Sequence, residues 1–436
     1  MTGRRVLIVS PRFVPSNAPD MHRVRQALPH LREMGWEPTV LAVTPAEVEA
    51  PQDPLLARTI PDDVEVIRVG AAPVRWTRMV GVGSLEARSL PYLAAAGQRV
   101  LDRGDTDLVF FSTTAMGVTA LGPRWHGRFD VPFAVDLQDP WYSRYYAATN
   151  VAPPGGRFKY SVANALAKRL EPYVLRRAAH IVTVSPAYPK ALAARYAWFD
   201  PQDATVLPFG AAESDFELLR RDPVPNTVFD PDDGFEHWVY VGAAGPIMEL
   251  SLRALFTALA AYRQREPEAA ARLRLHFVGT AYAPAGTARP SVAPIARALG
   301  VGDLVAEQTD RVPYFEALQC LLDADALLMP GSDNPGYTAS KLYPYILAKK
   351  PLLALFHEDS SVIGVLRDTS GGTVVPFAAG ERPDQIAERI TETWFEAAEW
   401  TADVKTDWEE FAPYTAREMT RRLAAVFDAS TLPDKR

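Results

Sequence analysis

The 436-residue chain is 48% hydrophobic and 23% charged, which supports a large buried core and excludes a disordered or fibrous protein. Its 46 basic and 53 acidic side chains leave a net charge of -7 with no basic stripe, so nucleic acid is not an expected partner. A single cysteine, Cys320, fits a reducing cytoplasm and a small buried side chain, and the length calls for two domains.

The first apolar run, Val6–Ser10, is too short for a signal sequence and is followed by Pro11, Arg12 and Phe13 instead of a small-residue cleavage site, so it reads as a buried strand. Arg23–Met34 follows as a helix with Val24, Ala27, Leu28, Leu31 and Met34 at helical spacing. Gly35 closes it, and Pro38–Val43 is the next strand. This βαβ opening predicts a parallel sheet. Strands at Val64–Val69, Leu108–Ser112, Phe133–Asp136, His180–Ser185 and Ala204–Pro208 extend it, with helices at Ser89–Arg103 and Asn164–Ala179.

The pattern stops at Arg221–Glu236, a proline- and aspartate-rich stretch with the character of a linker. It restarts with strand His237–Gly242, helix Pro246–Arg265, strand Leu273–Gly279, a helix near Ser291–Leu299, strand Ala326–Met329, a helix from Ser340 and strand Leu352–Phe356. Two doubly wound, Rossmann-like α/β domains are therefore expected, residues 1–225 and 236–405, with the carboxyl ends of both sheets at a shared cleft. Residues 406–436 are expected to add a helix that crosses back to the first domain. No window approaches about 20 apolar residues, so no membrane span is expected, although contact with a membrane surface is compatible with the sequence.

Five segments, in this order, carry a resemblance: VLIVSPRFVPSNAPDMHRVRQALPHLREMGWEPTVLAV, AVDLQDPW, RLEPYVLRRAAHIVTVSPAYPKALAARY, VLPFGAAESDF and RVPYFEALQCLLDADALLMPGSDNPGYTASKLYPYILAKKPLLAL. As a set they resemble the family 4 glycosyltransferases, and in particular a bacterial branch with a DxRDPW segment. The resemblance implies a GT-B fold and transfer of a sugar from a nucleotide-sugar to an acceptor hydroxyl, with retention at the anomeric carbon. It implies donor binding by the C-terminal domain and acceptor binding by the N-terminal one. The acceptor is a sugar, a small metabolite or a lipid-linked molecule. No cofactor is expected beyond the nucleotide-sugar co-substrate. No metal is expected, because no His or Asp pair has ligand spacing and Asp323-Ala-Asp325 falls at a helix end.

On the donor side, Gly336 allows a tight loop, Thr338 or Ser340 suits a helix cap, and Lys341 adds a full positive charge where a diphosphate would meet a helix start. Gly242 and Ala243 form a turn that lets backbone approach phosphate, and Arg311 and Arg253 are further candidates for the donor. The family's two glutamates are replaced here by Gly336 and Pro344, and its Arg-Lys pair after the first C-terminal strand is missing. On the acceptor side, Asp20, His22, Arg23 and Arg25 open a helix and are candidates for an anionic acceptor or the diphosphate. Asp139 follows a strand end, where a carboxylate orients or deprotonates an acceptor hydroxyl. Trp141, Tyr142 and Arg144 supply aromatic faces and a charge for a sugar. The missing donor features leave two further readings: a GT-B protein that binds without transferring, as a partner subunit, and a nucleotide-sugar epimerase.

Overall fold

The computed structural model describes residues 3–74, 77, 83–142, 157–281, 286–333 and 341–432. The chain divides into two compact units: residues 1–210 with 416–436, and residues 211–415. The division thus falls at Gly210–Ala211, ahead of helix Glu213–Arg221 and of the polar stretch that follows it.

In the first unit, β1 (Arg4–Val9), β2 (Trp36–Val43), β3 (Glu65–Val69), β4 (Leu108–Ser112), β5 (Phe133–Leu137), β6 (His180–Thr183) and β7 (Ala204–Val206) form one parallel sheet, ordered β3-β2-β1-β4-β5-β6-β7. Val6 to Val9 and all of β4 are buried, as expected where helices cover both faces of a parallel sheet. The longer helices are α1 (His22–Leu31), α2 (Leu85–Leu101), α3 (Leu121–Phe129), α4 (Arg157–Leu175) and α5 (Ala187–Arg195). A 3-10 turn after α1 ends on Gly35, whose φ of 83° is left-handed and turns the chain into β2. α2 begins earlier than its apolar spacing suggests because the Ser84 hydroxyl accepts the Ala87 N–H and caps it.

The second unit repeats the plan. β8 (Glu236–Val241), β9 (Leu273–Val278), β10 (Val305–Gln308), β11 (Ala326–Pro330), β12 (Leu352–His357) and β13 (Thr373–Phe377) form a parallel sheet ordered β10-β9-β8-β11-β12-β13. Its longer helices are α6 (Glu213–Arg221), α7 (Glu249–Arg265), α8 (Tyr314–Asp323), α9 (Leu342–Leu347), α10 (Ser361–Asp368) and α11 (Pro383–Ile390). Below the sheet, Trp238 is enclosed by Trp394, Phe395 and Trp400, with ring centroids 5.4–5.7 Å away. Such aromatic packing supplies a large share of a core's burial energy.

The last helix, α12 (Ala416–Ser430), belongs to the first unit. Phe427 is fully buried there against Trp36 and Phe110, at centroid distances of 5.3 and 5.0 Å. Burying such a side chain contributes roughly 2–3 kcal/mol. In both sheets the strand order reverses beside the first strand, between β1 and β4 and between β8 and β11, which opens a crevice at the carboxyl ends of those strands.

Candidate functional site

Polar side chains collect in the first unit where apolar strands end. Asp136, the penultimate residue of buried strand β5, is fully buried, and its Oδ2 accepts from Arg23 Nε at 2.7 Å, Ser112 Oγ at 2.9 Å and Gln138 Nε2 at 2.8 Å. Arg23 also donates to the Leu207 carbonyl at 2.6 Å. Asp20 forms a second hub, its Oδ2 accepting from Arg12 Nη1 at 3.0 Å, Thr113 Oγ1 at 3.1 Å and the Thr114 N–H at 2.9 Å. Gln138 links the two hubs by donating to the Asp20 carbonyl at 3.1 Å. Buried charges persist in a fold only when paired, and each of these carboxylates is paired through Oδ2, while the Oδ1 of Asp20 and of Asp136 is buried with no hydrogen-bond partner among the described residues.

This geometry changes the reading of the α1 start. Arg23 and Arg25 have 0% and 1% of their surface exposed, so neither presents its charge to an anion. Arg25 Nη2 donates to His22 Nδ1 at 3.3 Å, and burial together with the Arg25 charge lowers the His22 pKa to about 3, leaving that ring neutral. His22, Arg23, Arg25 and Asp20 therefore build the wall beneath a site.

Asp139, by contrast, is exposed. Reduced hydration and the Asp20 charge raise its carboxyl above the ordinary range. Tyr188 of α5 stands nearby, its hydroxyl donating to the Gln138 carbonyl at 3.4 Å and its pKa raised by burial and by Asp139. Tyr142 is buried, with Arg195 4.8 Å above its ring and its N–H donating to Glu171 Oε2 at 2.9 Å, while Trp141 packs half-buried against the sheet core. Both rings serve packing instead of forming an open sugar platform. Arg144 lies outside the described residues. Sequence reasoning missed Arg12, Asp136, Thr113 and Tyr188 as members of this cluster. A charged residue interrupting the apolar run of β5 was the available signal for Asp136.

In the second unit, Lys341 and Arg311 each lie against a glycine at the end of a strand, Gly242 after β8 and Gly279 after β9. A β-carbon placed on Gly242 would lie 2.1 Å from Lys341 Nζ, so the ammonium occupies the notch that the missing side chain leaves. The Tyr240 hydroxyl donates to the Ala243 carbonyl at 2.8 Å and fixes the turn. Arg311 packs along Gly279, whose φ of 70° is left-handed. Burial and the Arg311 charge lower the Lys341 pKa to about 8, and among the described residues no carboxylate pairs with it.

Other donor-side expectations are relocated. The N–H groups of Gly242 and Ala244 donate to the Val278 and Thr280 carbonyls at 2.8 and 2.9 Å, so those two amides already serve the backbone. Arg253 is engaged by Glu249 one helical turn away, in an exposed ion pair of 2.7 Å. Lys341 itself takes the N-cap position of the short α9, with Pro344 in its first turn, where a missing N–H is tolerated. Gly336, Thr338 and Ser340 lie outside the described residues. Asp323 accepts from Asn226 and Gln319, and Asp325 from the His237 N–H, as structural acceptors.

Residues 22–210 match the family model described as a glycosyl transferase 4-like domain. No curated protein matches the chain. Among solved structures the chain is similar to HepE of Anabaena crystallised with UDP-glucose, at 15% identity over 97% of this chain and 99% of that one, with a TM-score of 0.56. It is also similar to a UDP-forming α,α-trehalose-phosphate synthase from Burkholderia xenovorans in complex with glucose-6-phosphate (11% identity, 97% and 100% covered, TM-score 0.58). A third similar structure is the N-terminal domain of trehalose-6-phosphate phosphatase from Candida albicans (13%, 99% and 98%, 0.58). At such identities the likeness establishes the architecture, two Rossmann-like units of the GT-B fold, which hosts more than one activity.

Proposed function

We propose that this chain, a glycosyltransferase 4-like protein by its residues 22–210, moves a sugar from a nucleotide-sugar to an acceptor hydroxyl, with retention and without a metal. The observation that carries the reading is Lys341 in the notch at Gly242, with the Arg311 charge acting on it. No carboxylate is paired to Lys341 among the described residues, an arrangement that costs free energy until an anion arrives. A nucleoside diphosphate supplies that anion. The two cations then stabilise the charge that develops on the leaving phosphate, the task a divalent ion performs in other transferases.

In the transfer itself the acceptor oxygen bonds to the anomeric carbon, the bond from that carbon to the β-phosphate oxygen breaks, and the acceptor proton passes to the departing phosphate. Asp139 orients the acceptor hydroxyl. The buried network of Asp136, Arg23, Gln138 and Asp20 holds the segment that carries it. UDP-sugars are the first donors to test, since HepE was crystallised with UDP-glucose.

Thermal unfolding against a panel of nucleoside diphosphates and their sugars tests the reading, because selective binding to the folded state raises the midpoint. A rise with one nucleotide, lost in Lys341→Met and unaffected by a chelator, is expected. As pH climbs through about 8, Lys341 loses its charge and nucleotide affinity should fall. No rise with any nucleotide at saturating concentration would favour the second reading, a non-transferring partner subunit. Pro344, which stands where a ribose-binding carboxylate is expected, is the observation on its side.

A further inference from the structure

Eight large apolar side chains stand exposed among the described residues, and three of them, Val162, Leu166 and Tyr173, are on α4. Their spacing of four and then seven residues puts them within about 40° of one another on the helix, along roughly 16 Å of its axis. The opposite side of α4 carries Ala167, Glu171 and Val174, all buried. The helix is therefore apolar on its packed side and again on its solvent side, where an amphipathic helix is ordinarily polar.

Charge follows the outer stripe. Arg169 lies on it and Arg176 and Arg177 just beyond it, all exposed, and among the described residues none of the three has an ion-pair partner, although Arg176 stacks 4.9 Å over the Trp198 ring. Arg177 lies 4.4 Å over the Tyr173 ring, so cation and aromatic face stand together. The one acidic residue of α4, Glu171, points inward and is neutralised by Arg195. A chain of net charge -7 thus concentrates unpaired positive charge beside an exposed apolar row.

We infer that this face of α4 docks on an anionic lipid surface, with Val162, Leu166 and Tyr173 entering the headgroup boundary and Arg169, Arg176 and Arg177 meeting lipid phosphates. A straight convex row flanked by unpaired cations matches a flat anionic surface along its whole length. No described helix is long and apolar enough to cross a membrane, so the contact is a helix lying on the surface. Glu171 of the same helix holds the Tyr142 N–H in the segment that follows Asp139. The inference is independent of donor chemistry, since vesicle binding needs no turnover.

The test is flotation of the full chain with phosphatidylcholine vesicles, with and without phosphatidylglycerol. Binding only to vesicles that contain phosphatidylglycerol, weakened by added salt, is expected. Arg169→Ala with Arg177→Ala should lower partition about 25-fold, at roughly fivefold per charge. Val162→Ser with Leu166→Ser should lower it about tenfold, and Phe235→Ser, an exposed aromatic of the second unit, should leave it unchanged. All these positions are exposed, so unaltered melting points are expected. No binding at low salt, or equal binding by both α4 double variants, overturns the inference. So does a wild-type dimer in sedimentation that Val162→Ser with Leu166→Ser dissociates, which would assign the face to a second copy.

Discussion

The two units place charge at their switch points in opposite ways. In the first, Arg23 meets Asp136 and Arg12 meets Asp20, so the cations are answered inside the protein. In the second, Lys341 sits in the notch at Gly242 with the Arg311 charge acting on it, and among the described residues no carboxylate pairs with Lys341. A paired, buried network fixes geometry and leaves little free energy for a newcomer, whereas neighbouring cations raise the energy of the free state and lower it when an anion binds. Under the proposed function, the first unit is a rigid mount for Asp139 and the second is the anion receptor.

The comparison breaks if the two sites respond alike to losing a cation. Arg23→Met strands the Asp136 carboxylate in the core and should cost about 3–5 kcal/mol of stability, read as a large drop in midpoint, while nucleotide binding by the second unit survives. Lys341→Met should do the reverse, lowering kcat/KM by about 10²–10³ with the melting point held or raised. Acid separates the units further. His276 is buried and its pKa is lowered to about 4, mainly by burial, so the unfolded chain binds its proton first. Stability is then full above about pH 6.5 and declines as pH falls toward 4, by up to about 3 kcal/mol. His276→Asn should flatten that decline in melting curves taken across this range. The smallest effect is expected from Asp139→Asn, about tenfold in turnover with nucleotide affinity unchanged, because the site keeps its shape and loses only a charge.

The contrast also marks what was legible in the sequence. Strands such as Leu108–Ser112 announce themselves because both faces are covered and every residue is apolar or small. Edge strands β10 and β13 do not, since Val305-Ala-Glu-Gln is half-exposed and shares its pattern with loops. Lys341 and Asp139 are legible because each sits in a segment that carries the family resemblance, Lys341 at a helix start and Asp139 after a strand end. The chain does not, however, reveal that Arg23 points into the core, since only the fold brings Asp136, 113 residues later, against it. Nor does it show that Arg253 is taken by Glu249, an ordinary helical pair.

The helix that completes the first sheet is made last. Trp36 and Phe110 emerge early in synthesis, but Phe427, which covers them, emerges only after the whole second unit has been threaded between. The nascent first unit must wait with an open hydrophobic flank, so the second unit folds as an insertion into an unfinished neighbour. Fusions or truncations at the carboxyl terminus will therefore be felt first at the opposite end of the chain.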